Sequence, residues 1–321
     1  MEYRKLGRTG LKVSALCLGT MQFGWTADEE TSFEVLSAAY DGGINFLDTA
    51  DIYSRWVEGN PGGVAETMIG KWLKQSGIPR DKLVIATKVR GQMGDGPNDQ
   101  GLGRAHIMNA VEASLRRLDV DYIDLYQSHW LDTETSIDET LRAYDDLIRQ
   151  GKVRYIGCSN YPAWRLTEAT WTSETYNLAR YDSLQPHYSL VHRAEFEREL
   201  ADVCREYDIG VIPYSPLAGG FLTGKYRKGK DIDSARAGGV SRHFTDQNWA
   251  LLELMEKIGA EKGGRSISQI ALAWLLSDPV ITSPIIGPRN LEQLEDNLAA
   301  AGLRLTAEEK QQLDAASDWK E

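Results

Sequence analysis

The sequence contains few cysteines, and none has the spacing of a metal site or a disulfide framework. Only three of the 321 residues are cysteine, Cys17, Cys158 and Cys204, and no two of them form a C-x-x-C pair. An odd number of scattered cysteines favours neither a disulfide framework nor a thiolate zinc site. We therefore expect all three to be small buried side chains.

Long apolar runs and an excess of positive charge are also absent. Lysine and arginine number 36 and aspartate and glutamate 47, so the formal net charge at pH 7 is −11. Such a chain repels the phosphate backbone that nucleic-acid-binding proteins neutralise. Its uncharged stretches, such as 209–224, contain proline and glycine and fall short of the ~18 apolar residues of a membrane-spanning helix. No signal-peptide pattern is present, and we predict a cytoplasmic protein that binds neither nucleic acid nor membrane.

Short β-rich runs alternate with amphipathic helical stretches along the chain. Eight strands, each followed by a helix, favour an α/β fold built as a closed (β/α)8 TIM barrel over an open doubly wound sheet. No linker rich in proline, serine or glycine separates two halves, so we predict one domain over 1–321. The eight runs are 15–18, 44–47, 83–86, 122–126, 153–156, 183–185, 211–213 and 281–286.

Two segments depart from this repeat. Residues 1–14 alternate polar and apolar side chains around a glycine turn, which predicts an N-terminal β-hairpin. Residues 217–243 form a long loop rich in glycine and basic residues, which we interpret as a cofactor loop or lid. Two helical stretches follow that loop, so extra helices are expected near the C-terminus. Capping boxes that begin at Ser136, Ser266 and Thr306 predict three of the helix starts.

Four side chains that can move or direct protons follow three neighbouring strands. Asp48 and Tyr53 follow the second strand, Lys88 ends the third, and His129 follows the fourth. Loops after barrel strands open on one face, where barrel active sites lie. A buried Lys88 needs a carboxylate partner such as Asp48, and its charge lowers the pKa of a nearby phenol. Tyr53 is then a candidate general acid, and His129 is a candidate hydrogen-bond donor to a carbonyl.

These residues stand in segments that resemble the aldo-keto reductase superfamily, 45–53, 87–88 and 128–129. Four further segments, 151–160, 185–188, 214–225 and 285–297, follow in the family's order, so the resemblance extends nearly end to end. The long loop is most similar to the branch that includes bacterial general reductases and potassium-channel β subunits. The resemblance implies NADP(H)-dependent reduction of aldehydes or ketones to alcohols. Tyr53 would be the general acid, supported by Asp48, Lys88 and His129.

The resemblance also implies where a cofactor lies, since the chain contains no G-x-G-x-x-G fingerprint. By resemblance, Tyr214 stacks on the nicotinamide ring, and Ser159, Asn160 and Gln185 hold its carboxamide. Arg289 precedes a helix start and favours the 2′-phosphate of NADP(H) over NAD(H). The candidate cofactor-binding residues are Gly19, Thr20, Ser159, Asn160, Gln185, Tyr214, Ser215, Pro216, Leu217, Gly219, Lys225, Gly287, Arg289, Gln293 and Asn297.

The substrate remains open at the level of sequence. Trp25 and Trp130 are the candidate substrate-binding residues, and Trp56, Met93 and Phe221 are further candidates for an apolar wall suited to an aryl or alkyl aldehyde. The polar loop 91–101 favours polyol or sugar-like substrates instead. We interpret the basic residues Arg227, Lys228 and Lys230 as solvated.

Two other functions are also compatible with the sequence. One is an NADP(H)-binding redox-sensing regulatory subunit with little turnover, as the resemblance to channel β subunits implies. The other is an unrelated barrel hydrolase or isomerase that uses a metal or paired carboxylates. The five histidines form neither H-x-H nor H-E-x-x-H, so no metal site is predicted. We expect His106 and His243 at the surface, and His187 and His192 beside the substrate loop or packed. The sequence predicts no oligomeric state.

Overall fold

A computed structural model of the protein describes residues 1–229 and 237–319, and eight parallel strands in these ranges form a barrel. Their order in the sheet is β10-β3-β4-β5-β6-β7-β8-β9. The Thr282 amide donates to the Val211 carbonyl oxygen at 2.8 Å. This bond joins the last strand in that order to the segment that leads into the first strand, which closes the barrel. The predicted (β/α)8 barrel is confirmed. The strands are β3 (Cys17–Gly19), β4 (Phe46–Asp48), β5 (Val84–Val89), β6 (Ile123–Ser128), β7 (Val153–Ser159), β8 (Tyr181–Gln185), β9 (Gly210–Val211) and β10 (Ile285–Ile286).

Helices surround the barrel in the described ranges, and two of them, α8 and α9, follow the long loop as expected. The part of the loop at 230–236, which includes Lys230, lies outside the described residues. No helix within the described ranges is long and apolar enough to cross a bilayer. The helices are α1 (Glu29–Asp41), α2 (Val64–Ser76), α3 (Arg104–Leu118), α4 (Ile137–Arg149), α5 (Ala163–Tyr176), α6 (Ala201–Glu206), α7 (Ala237–Val240), α8 (Asp246–Glu261), α9 (Ile267–Leu276), α10 (Leu291–Leu298) and α11 (Ala307–Ala316).

The predicted N-terminal hairpin covers the end of the barrel where the strands begin. Its strands β1 (Tyr3–Lys5) and β2 (Lys12–Ser14) pair in antiparallel register. Leu6 is fully buried in one apolar cluster with barrel residues such as Phe46. At the hairpin turn, Gly7 has a φ of +54°, and a Cβ there would lie 2.5 Å from the Asp208 carbonyl oxygen. The hairpin therefore leaves the opposite end of the barrel, where the strands finish, for a functional site.

Alternation along the strands explains why polar side chains collect at that opposite end. Phe46, Ala86 and Leu125 belong to the apolar cluster inside the barrel. Side chains two residues apart on a strand point to the same face, so the next inward positions are Asp48, Lys88 and Gln127. Sheet register places Asp48 beside Ala86, and Lys88 beside Gln127. A polar layer thus lies directly above an apolar one.

Only one of the three predicted capping boxes is complete. Thr306 exchanges both hydrogen bonds with Glu309, and the Ser266 hydroxyl accepts from its helix as predicted. The Ser136 side chain makes no capping bond, although α4 begins at the next residue as expected. The second half of the predicted box is also missing, because the Glu139 carboxylate accepts from the Arg104 amide at 2.9 Å instead. A contact with another helix replaces the local one.

Candidate active site

A buried ion pair lies at the centre of the candidate site. The Lys88 Nζ donates to Asp48 Oδ2 at 2.6 Å and to the Tyr53 hydroxyl at 3.0 Å. It also donates to the carbonyl oxygen of Thr49 at 2.9 Å. Lys88 is 0% exposed and Asp48 is 1% exposed. Because three acceptors surround the ammonium group, its charge is compensated where water does not reach it.

Two amide side chains fix the carboxylate of Asp48 from the other side. The Gln185 Nε2 donates to Asp48 Oδ1 at 2.8 Å, and the Gln127 Nε2 donates to the same oxygen at 3.2 Å. We call Asp48, Lys88, Gln127 and Gln185 the catalytic layer, since their side chains form one bonded set across the top of the barrel. Sequence reasoning missed the role of Gln127. Its position two residues after the inward-facing Leu125 is the signal that identifies it.

Burial and neighbouring charges set the protonation states of this group. Burial raises the pKa of Tyr53 to about 12, although the Lys88 ammonium acts to lower it. The predicted influence of Lys88 is therefore present but is outweighed by burial. Burial also acts against the charge on Lys88, but the attraction of Asp48 and Tyr53 prevails and raises the pKa of the ammonium. Tyr53 is thus protonated and Lys88 charged at neutral pH.

His129 lies beside Tyr53 as an uncharged imidazole. The two ring centroids are 6.0 Å apart at 70°. Burial, with the positive charges of Lys88 and Arg90, holds the pKa of His129 well below its usual range. On its other side His129 stacks on Trp130 with ring centroids 3.8 Å apart. A neutral imidazole has one N–H donor and one acceptor nitrogen, so His129 can form hydrogen bonds in the cavity without acting as a cationic acid.

A cavity of about 1170 Å³ opens above the catalytic layer. Tyr53 and His129 both line it, while Lys88 and Thr20 lie below its surface. The Thr20 hydroxyl donates to the Asp48 carbonyl oxygen at 3.0 Å, so it supports the wall from behind. The remaining candidate catalytic and cofactor-binding residues, with Trp25 and Trp130, all line the cavity: Gly19, Trp25, Asp48, Trp130, Ser159, Asn160, Gln185, Tyr214, Ser215, Pro216, Leu217, Gly219, Lys225, Gly287, Arg289, Gln293 and Asn297.

One half of the cavity is built from the segments 214–227 and 287–297 and suits an anionic, extended ligand. Lys225, Arg227 and Arg289 supply three cationic side chains to the lining, which outnumber the carboxylates of Glu292 and Asp296. The backbone at Gly219 and Gly220 has φ of +65° and +101°, which lets the chain approach a ligand closely. The volume exceeds the roughly 300–1,000 Å³ of ordinary small-molecule pockets. These features fit a dinucleotide.

The other half of the cavity is aromatic. Trp25, Trp56 and Trp130, which we call the tryptophan rim, come from three different loops and are 40%, 47% and 36% exposed. Trp25 and Trp56 meet edge to face with ring centroids 5.7 Å apart. None of the residues 91–101 is among those lining the cavity. The polar loop considered as a polyol site therefore contributes no lining residue, although Gly91 packs against Ile52, which lines the cavity.

Several sequence expectations about single residues are wrong. Met93 and Phe221 do not line the cavity, and Phe221 is fully buried against Phe244 and Trp249. His106 and His243 are each 5% exposed rather than at the surface.

Residues that sequence reasoning did not assign to the site also line the cavity. Arg227 does so although we interpreted it as solvated, and its guanidinium also bonds to Glu256 at 3.2 Å. Ser266 and Ser268, considered only as part of a helix start, line the cavity as well. Their proximity follows from the packing of α9, which no local pattern reports.

Comparison with known proteins agrees with this geometry. The family model described as "Aldo/keto reductase family" matches residues 15–318. The chain belongs to the aldo/keto reductase family. The resemblance drawn from the motifs is confirmed, and members of this family generally use a nicotinamide cofactor.

The relatives include reductases and channel subunits. The chain is 43% identical over 314 residues to "Uncharacterized oxidoreductase YrpG" of Bacillus subtilis, covering 96% of this chain and 93% of that protein. It is 35% identical over 341 residues to "Versiconal hemiacetal acetate reductase" of Aspergillus parasiticus, covering 98% and 96%. It is 35% identical over 307 residues to "Probable voltage-gated potassium channel subunit beta" of Arabidopsis thaliana, covering 94% and 91%.

Proposed function

We propose that this aldo/keto reductase family member is an NADP(H)-dependent oxidoreductase that reduces aldehydes or ketones to alcohols. The observation that carries the proposal is the bonded set of Asp48, Lys88 and Tyr53, which brings a phenol hydroxyl to the cavity surface within 3.0 Å of a buried ammonium. The bound cofactor would supply a hydride from C4 of its reduced nicotinamide to the carbonyl carbon.

Tyr53 supplies the proton that the reduction requires. Lys88 donates to the phenol oxygen, so the Tyr53 O–H remains available to donate to a carbonyl oxygen in the cavity. A pKa of about 12 keeps Tyr53 protonated until negative charge develops on that oxygen. The ammonium at 3.0 Å then stabilises the phenolate that the transfer leaves behind.

His129 orients the carbonyl. The His129 ring lies between Tyr53 and Trp130. The Asn160 Nδ2 donates to the backbone carbonyl oxygen of His129 at 3.1 Å. Since its imidazole is uncharged, a hydrogen bond from its ring N–H directs the carbonyl oxygen without competing as an acid. Tyr53 and His129 would therefore approach the same oxygen.

The cofactor preference rests on the far end of the cavity. Arg289 lies just before α10, whose N-cap Asn290 accepts from the Gln293 amide at 3.0 Å. A planar guanidinium beside a helix N-terminus favours a phosphate. Arg289 therefore favours NADP(H) over NAD(H). The Lys225 ammonium would bind the pyrophosphate of the cofactor.

The aromatic half of the cavity favours an uncharged carbonyl compound with an aromatic group as the substrate. Asp48 is the only charged side chain that the described segments around 19–56 and 129–130 contribute to the lining, and it is bonded within the catalytic layer. The tryptophan rim offers flat apolar surfaces, which favour stacking with an aryl group. Because loop 91–101 contributes no lining residue, we favour aryl aldehydes over polyols.

The proposal is tested by following NADPH absorbance with purified protein and a panel of aryl aldehydes, alkyl aldehydes, ketones and reducing sugars. NADH in place of NADPH tests the preference for the phosphate. We expect fastest turnover with NADPH and aryl aldehydes, and its loss in Tyr53→Phe. Binding of neither cofactor would refute the proposal.

A second candidate is an NADP(H)-binding regulatory subunit with little turnover. Two tryptophans on α5, Trp164 and Trp171, are 62% and 59% exposed, which is unusual for large apolar side chains. In the same assay, tight NADPH binding without turnover of any carbonyl compound would favour this candidate over the reductase.

A further inference from the structure

Three aromatic rings stack beside the cavity, and only the first of them lines it. Tyr214 lines the cavity, and its ring lies 5.0 Å from that of His187 at an interplanar angle of 13°. His187 in turn stacks on His192 with ring centroids 3.8 Å apart at 19°. His187 and His192 are absent from the lining. One face of Tyr214 is therefore backed by an imidazole pair, which leaves the opposite face for a ligand.

Backbone pairing beyond the strand ends fixes this stack. His187 and Tyr214 form a parallel bridge, and the Tyr214 amide donates to the Pro186 carbonyl oxygen at 3.0 Å. Ser189 and His192 exchange backbone hydrogen bonds of 2.9 and 3.2 Å, which folds His192 back over His187. The rings are thus held in register by the main chain.

Tyr214 is also held at its far end. Its hydroxyl donates to Asn160 Oδ1 at 2.9 Å. With the hydroxyl fixed, the remaining freedom of the ring is rotation about its long axis. A planar neighbour at 5.0 Å on one face limits that rotation.

We propose that His187 is a positioning residue whose imidazole sets the plane of the Tyr214 ring and thereby strengthens binding of the nicotinamide cofactor. This inference rests on the proposed function and on the stacking of Tyr214 on the nicotinamide that the family resemblance implies. A ring already fixed in its binding orientation loses less conformational entropy when the ligand binds. His187 acts through Tyr214 and does not touch the ligand.

The protonation state of His187 suits this role. Burial, then the neighbouring charges of His192 and Arg242, lowers the pKa of His187 to about 4. The ring is therefore uncharged at neutral pH. An uncharged imidazole places no positive charge behind the ring against which an oxidised, positively charged nicotinamide would stack.

The test measures the Kd for NADPH by quenching of tryptophan fluorescence in wild type, His187→Ala, His187→Leu and His187→Phe. We expect His187→Ala and His187→Leu to weaken NADPH binding roughly three- to tenfold, since an aromatic pair contributes about 0.5–1.5 kcal/mol. His187→Phe keeps a planar ring at this position and should bind NADPH with wild-type affinity. The KM for the carbonyl substrate, measured at saturating NADPH, should stay near wild type in all soluble variants. Tyr214→Ala, which removes the stacking ring itself, should weaken binding at least as much.

Each outcome decides the inference. If His187→Ala does not fold, the comparison of His187→Leu with His187→Phe decides the question, because both side chains fill the space and only phenylalanine is planar. If His187→Leu binds NADPH as tightly as wild type does, the inference is overturned, since packing alone would then be sufficient. Unchanged affinity in the alanine variant would overturn it as well. A wild-type protein that fails to bind NADPH would instead refute the proposed function and remove the basis of the inference.

Discussion

The catalytic layer and the tryptophan rim face the same cavity but are built in opposite ways. Lys88 and Gln127 in the layer are fully buried, and hydrogen bonds of 2.6 to 3.4 Å join its members. The rim tryptophans are between 36% and 47% exposed. They come from loops and are arranged by contacts between rings.

Under the proposed function, the catalytic layer supports the proton transfer and the tryptophan rim binds the substrate. Strand geometry and hydrogen bonds leave the catalytic layer one arrangement, so any change there alters protonation and stability together. Side chains in the rim pack loosely enough to accept different partners, so changes there alter affinity. We therefore expect substitutions in or bonded to the layer to affect kcat, and substitutions in the rim to affect KM.

The largest effect is expected from Tyr53→Phe, which removes the proposed proton donor. General acids contribute roughly 10²–10⁴-fold to a rate, so kcat should fall by that factor while the Kd for NADPH changes little. Steady-state kinetics and fluorescence titration measure the two quantities. Tyr144→Phe is the matched control, because Tyr144 is a buried tyrosine outside the cavity whose hydroxyl also has a partner, Ser128 at 2.9 Å.

Lys88→Met tests whether the layer couples chemistry to stability. Without the ammonium, Asp48 remains as a buried carboxylate without its counter-ion, which costs about 3–5 kcal/mol of unfolding free energy. Turnover should also be lost. Lys71→Met removes an exposed partner of Glu29 and should cost about 1 kcal/mol or less in urea unfolding. Equal losses in the two variants would contradict the comparison.

Arg289→Ala tests the cofactor half of the cavity. Hydrogen bonds to charged groups contribute about 1.5–3 kcal/mol, so the Kd for NADPH should rise roughly 10- to 100-fold. The Kd for NADH serves as the control within the same protein and should stay nearly constant. A parallel loss for both cofactors would remove Arg289 from recognition of the 2′-phosphate.

Trp25→Ala should give a smaller effect that appears in KM. Loss of one stacking surface should raise KM for aryl aldehydes about three- to tenfold and leave kcat within about twofold. Trp164→Ala removes an exposed tryptophan of α5 that is not among the lining residues and should change neither constant. A fall in kcat with unchanged KM for Trp25→Ala would break the separation between layer and rim.

The smallest effect expected is that of pH between about 6 and 9. His129 has a pKa well below its usual range and Tyr53 one of about 12, so neither changes charge in that interval. The rate of reduction should be flat there, and a decline with an apparent pKa near 6.5 would contradict the assignment of a neutral His129. Because the pKa of Tyr53 is raised in the folded state, its ionisation should reduce stability only as pH rises from about 10 towards 12.

The sequence predicts the strands and most of the site because both follow from local patterns. Period-two alternation places Asp48 and Lys88 on inward positions, and motif order identifies the cavity segments. The bond from Gln127 to Asp48 could not be read in this way, since it depends on register between strands 79 residues apart. Burial of His106 and His243 likewise depends on segments that fold over them. Where a residue's partner is distant, as for Glu139 and Arg104, the local pattern points to the wrong contact.

In the proposed reaction Tyr53 donates the proton, and the rest of the site binds the cofactor whether or not Tyr53 is present. It is tested most directly by single-turnover oxidation of bound NADPH by an aryl aldehyde in wild-type and Tyr53→Phe protein, followed by stopped-flow absorbance. We expect equal occupancy by NADPH and a rate constant at least about 10²-fold lower in the variant. Equal rate constants at equal occupancy would contradict it.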